Sequence, residues 1–151
     1  MKSLFNLYPL IISTIVGVLY YFFHSYIEAS DIKNTLSSII TFLSIIFAIY
    51  GVTLSILAAI HDTKLIKNLL RKGSNSKKEL ENANKNVLFT IIFSVLIFIS
   101  IQVLFSLLIE NTIIFSIIII ISLNSLIVAL FNMKTFFDKI SKAFFNFSEH
   151  E

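Results

Sequence analysis

Four stretches without a single Asp, Glu, Lys or Arg fill most of the 151-residue chain: Ser3–Ile27, Asn34–His61, Asn86–Ile109 and Asn111–Met133. A helix needs about 20 apolar residues to cross a hydrocarbon layer about 30 Å thick. Every stretch meets that length, and little chain is left for a water-soluble core. Residues between the apolar ones are mostly Ser, Thr and Asn, which helices tolerate in lipid. The sequence therefore reads as an all-α integral membrane protein with four transmembrane helices. Leu4–Ile27 is too long for a secretory signal core and contains Pro9, Ser13 and Gly17, so it is read as an uncleaved first span.

Orientation follows from the lysines, because basic residues near span ends stay cytoplasmic. The second connection, 61–85, carries Lys64, Lys67, Arg71, Lys72, Lys77, Lys78 and Lys85. With both termini and this connection cytoplasmic, all twelve basic residues but Lys33 lie inside. The expected location is the cytoplasmic (inner) membrane of a bacterium. Heavy use of Ile, Phe, Asn and Lys with a single Arg also suggests an AT-rich bacterial or phage genome. The last two spans are interrupted only by Glu110, and as one helix they would run about 70 Å at 1.5 Å per residue. The chain is expected to turn at Glu110–Asn111.

Residues 1–133 form the expected four-helix transmembrane domain, including a basic cytoplasmic helical hairpin over 62–85. One arm places Leu65, Ile66, Leu69 and Leu70 on one face. Gly73 is its C-terminal cap, and Ser76 with Glu79 forms a capping box for the next helix. The bases Lys64, Lys67, Arg71, Lys72, Lys77 and Lys78 either orient the protein on anionic lipid or form a ring for a phosphate-rich ligand in an oligomer. Residues 134–151 read as an amphipathic C-terminal helix with Phe136, Phe137, Ile140, Phe144 and Phe147 on one face. It either lies in the headgroup layer or packs on the Leu65–Leu70 face.

The most ordered pattern lies in the second span. Ser37, Thr41, Ser44, Ala48, Gly51, Ser55 and Ala58 are spaced 4, 3, 4, 3, 4, 3 and form one line of small residues. Such a seam is either the packing face of a central strut or the wall of a pore between copies. A weaker seam, Ser13, Gly17, Tyr20 and His24, marks the first span. Gln102 and Asn124 lie at lipid depth, where an unpaired amide is costly, so each is expected to bond another helix or subunit. His24 and His61 read as boundary residues.

Absences narrow the function classes. No Asp, Glu, Lys or Arg lies inside any span, which argues against proton-coupled exporters. No nucleophile–base pair, metal triad, Gly-rich phosphate loop or cysteine is present, so no enzyme activity, metal or cofactor is expected.

The run Phe42–Ile60, FLSIIFAIYGVTLSILAAI, leading into a Lys-rich connection, resembles small multi-helix membrane effectors of bacterial antiphage defence, of the Hailong or CBASS type. The resemblance implies a homo-oligomeric channel that disrupts the membrane under control of a nucleotide or oligonucleotide made by a partner nucleotidyltransferase. Duplex DNA binding is not expected. Two other classes stay open: a non-conducting membrane anchor or assembly subunit, and a phage holin-like permeabilising protein.

Overall fold

The computed structural model describes residues 7–59 and 75–148, with side chains for 7–59 and 78–141. Four long helices account for nearly all of them: α1 (Leu7–Phe23), α2 (Ala29–Ala59), α3 (Asn75–Val103) and α4 (Thr112–Ser148). A 3-10 turn at His24–Tyr26 and one helical turn at Phe105–Leu108 join them. There is no strand among the described residues. All four spans are long and apolar enough to cross a membrane.

The helices outrun the uncharged stretches. α2 begins at Ala29, not Asn34. The Glu28 carbonyl accepts the Asp31 and Ile32 N–H groups at 3.0 and 3.3 Å, opening the helix there. Asp31 occupies the first turn, where the helix dipole favours a carboxylate. The first connection therefore shrinks to the 3-10 turn, an extended Ile27 and Glu28.

The fourth helix outruns its uncharged stretch furthest. α4 runs unbroken for 37 residues through the boundary placed at 133/134, so the C-terminal helix is not a separate element as far as Ser148. No Gly or Pro lies in this segment to stop it. Phe136 is buried and meets the Tyr50 ring edge-on at 5.5 Å. Phe137 and Ile140 pack on the same core, so the tail to Ile140 is seated on protein. The Leu65–Leu70 face expected to receive it lies outside the described residues, as do the side chains of Phe144 and Phe147. The same holds for most of the basic hairpin, of which only the arm from Asn75 onward is described, as the start of α3.

The turn between α3 and α4 has a definite mechanism. Leu104 leaves helical geometry at φ −92° and ψ 9°. Asn111 then caps α4, its Oδ1 accepting the Ile114 N–H at 3.1 Å and its carbonyl the Phe115 N–H at 2.9 Å. An Asn at this position supplies an acceptor to a donor the helix cannot satisfy itself.

Packing follows the order α1, α4, α3, α2. α1 and α2 scarcely touch, which leaves a crevice between them. The buried stripe of α2 is Leu36, Leu43, Ile46 and Tyr50, at spacings that return to one face of a helix. Leu36 and Leu43 join Phe98, Ile101 and Phe115 in one core layer. Ile46 and Tyr50 join Val87, Ile91, Ala129 and Phe136 in the other. α1 meets α4 through Pro9, Ser13 and Gly17, the only buried residues it has. A Cβ on Gly17 would lie 2.7 Å from Ile120 Cδ1 and 3.2 Å from the Ser116 carbonyl oxygen. Glycine is what lets these two backbones approach.

Candidate functional site

The small-residue seam of α2 lies about 130° round the helix from its buried stripe, taking 100° per residue. Thr41, Ser44, Ala48, Gly51, Ser55 and Ala58 are all exposed. A Cβ built on Gly51 would meet nothing within 4 Å. Within the protomer the seam from Thr41 to Ala58 is thus exposed. Leu36, Leu43, Ile46 and Tyr50 face inward, and the small residues form an exposed strip beside the exposed Ile45, Val52 and Ile56.

The seam hydroxyls turn their protons back onto their own helix. Thr41 Oγ1 donates to the Ser37 carbonyl at 2.9 Å, Ser44 Oγ to Ile40 at 2.9 Å and Ser55 Oγ to Gly51 at 3.0 Å. Each donor is satisfied without water, while each hydroxyl oxygen keeps lone pairs free to accept. The strip can therefore lie against apolar surface or present a row of acceptors to water and cations.

Ser37 anchors one end of the seam. It is half-buried, and Gln102 Nε2 of α3 donates to its Oγ at 3.2 Å. Gln102 is thereby satisfied by another helix of the same chain. Asn124 is half-buried one turn beyond Ile120, on the stripe of α4 that faces α1, and no hydrogen bond ties its amide to a described residue. His24 is exposed, with Nδ1 donating to the Tyr21 carbonyl at 2.9 Å.

Three further polar links cross between helices, at residues that no sequence motif marks. Tyr50 OH of α2 donates to Asn84 Oδ1 of α3. Ser94 Oγ and Ser125 Oγ are hydrogen-bonded at 2.7 Å, joining α3 to α4. Asn132 Nδ2 donates to Thr90 Oγ1 at 3.4 Å. A signal was available. Thr90 and Ser94 ascend α3 while Ser125 and Asn132 descend towards them on α4, as two antiparallel helices require. Where α3 and α4 leave the apolar layer, Lys139 pairs with Glu79 at 3.0 Å.

Of the basic residues, Lys64, Lys67, Arg71 and Lys72 lie outside the described residues, as does the side chain of Lys77. Lys78 is exposed. Among the described residues, no three His, Cys, Asp or Glu side chains gather as metal ligands would. Comparison with protein-family models, curated proteins and solved structures gives no match.

Proposed function

We propose that this chain assembles as a homo-oligomer in the cytoplasmic membrane, with the α2 seam lining an ion-conducting path between copies. One observation carries the reading: seven small or hydroxylated residues run the length of a span, and six of them are exposed in the protomer. A helix surface built for lipid alone is better filled by large side chains, whereas small residues suit close helix approach. Hydroxyl oxygens with free lone pairs and no charge would pass hydrated ions with at most a weak preference for cations. Both termini and the basic second connection face the cytoplasm, as the distribution of lysines supports. There the bases Lys64 to Lys78 offer a place for an anionic nucleotide, an oligonucleotide or a partner protein to control opening. The role as a membrane-disrupting defence effector rests on the resemblance of Phe42–Ile60 and its Lys-rich sequel.

The same seam favours a second reading, because its satisfied donors also allow a dry contact between copies with no path. The chain would then be a non-conducting anchor or assembly subunit. Mass measurement in detergent followed by recording in planar bilayers separates the two. An oligomer with stepwise currents, lost in Ser44→Leu and Gly51→Leu without loss of membrane insertion, supports the channel. An oligomer without current supports the scaffold, and a silent monomer overturns both.

A further inference from the structure

The crevice between α1 and α2 has the chemistry of a lipid site. Its volume is about 560 Å³, within the usual range for a ligand pocket of about 300–1,000 Å³. Val16, Leu19 and Phe23 of α1 form one wall, and Ile32 and Ile39 of α2 the other. The buried rings of Phe98 and Phe115 close the back. From Asp31 to Ile39 it runs about 12 Å at 1.5 Å per residue, most of one leaflet of a hydrocarbon layer about 30 Å thick.

Alongside it runs a space of a different character. This adjoining recess of about 450 Å³ is lined by α2 alone, through Asp31, Asn34, Thr35, Ser38, Ile39 and Phe42. Asp31, Thr35 and Ile39 belong to both spaces, so polar recess and apolar crevice are continuous. Asp31 sits in the first turn of α2, just before the uncharged stretch that starts at Asn34. The recess holds a carboxylate and no cationic side chain, which selects a headgroup that brings its own positive charge. Water has little reason to fill an apolar cleft. The Ile32–Leu36–Ile39 stripe also points away from the small-residue seam, so a copy docked on the seam does not fill it.

We propose that this crevice holds one phospholipid from the leaflet on the side of the α1–α2 connection. An acyl chain lies between α1 and α2, and an amine headgroup of the phosphatidylethanolamine type pairs with Asp31. The proposal stands whether or not the protein conducts.

Native mass spectrometry of the full chain tests it, with phosphatidylethanolamine or phosphatidylglycerol added to the detergent-purified protein. The expected result is one phosphatidylethanolamine retained per chain, in preference to phosphatidylglycerol. Ile119 of α4 also lines the crevice, and filling it by Ile119→Trp should lower retention at least about tenfold, with helix content unchanged by circular dichroism. Asp31→Asn leaves the packed helices untouched and should abolish the headgroup preference. The proposal is overturned if no phospholipid is retained in stoichiometric amount. It is equally overturned if Asp31→Asn keeps the preference, or if folded Ile119→Trp keeps its lipid. Loss of oligomer mass rather than lipid in Ile119→Trp would make a second copy the occupant and overturn it too.

Discussion

Gly17 of α1 sits against Ile120 of α4 with no space for a side chain between them. Gly51 of α2, the other described glycine, faces open surroundings. Two glycines in similar apolar helices thus have opposite meanings. One closes a contact within the chain, and the other lies on a face that the chain leaves uncovered.

Gly17→Ala should destabilise the protomer by about 1–3 kcal/mol, the usual cost of overpacking a close contact. Ile120 can shift, but the Ser116 carbonyl oxygen belongs to the backbone of α4 and yields less. Gly51→Ala should leave protomer stability within about 0.5 kcal/mol of the parent. Thermal unfolding in detergent micelles, followed by circular dichroism, reads both. Equal effects at the two positions would refute the packing of α1 on α4 described above.

Removing the amide in Gln102→Leu breaks the link to Ser37 Oγ and leaves an apolar side chain at lipid depth. A cycle with Ser37→Ala should show a coupling of about 0.6–2 kcal/mol, the range for hydrogen bonds between membrane helices. A coupling near zero would mean that Gln102 finds its partner elsewhere, in another copy.

Tyr50→Phe keeps the ring against Phe136 and removes only the hydroxyl that donates to Asn84. The loss should be about 1 kcal/mol, because the Asn84 acceptor then lacks a buried donor. Tyr50→Ala should cost about 3 kcal/mol or more, since it also opens a cavity between α2, α3 and α4. If the two substitutions cost the same, the ring contributes nothing to the core.

Lys139→Gln should change stability by less than about 1 kcal/mol, as expected for an exposed ion pair. Lys139 and Glu79 are 33% and 65% exposed, so salt screens them. Unfolding of the parent and the variant across a salt titration checks this, and a larger, salt-resistant loss would show the pair to be shielded in an assembly.

How far this architecture can be read from the sequence differs by feature. The four spans are legible because each apolar stretch exceeds the membrane thickness. Their ends are not, because Asp31, Lys33 and Lys134 mark where the hydrocarbon stops, whereas the helices continue past them. The turn at Asn111 is legible as the one polar place between two long spans, although its capping role appears only with the backbone in place. The seam is visible from its 4–3 spacing. Its direction is not, since Ser13 and Gly17 are packed in α1 while Ser44 and Gly51 are exposed in α2. Identical residue types serve both situations, and only the neighbouring helix decides between them.

The unbroken course of α4 has a mechanical consequence. Its 37 residues measure about 55 Å at 1.5 Å per residue, against about 30 Å of hydrocarbon. The surplus continues beside the start of α3, where Phe137, Ile140 and Leu80 pack on one core and Lys139 pairs with Glu79. Without a glycine or proline to act as a joint, torque applied near Lys139 is transmitted along the same rod to Phe115. Whatever grips that end turns the membrane-embedded part with it.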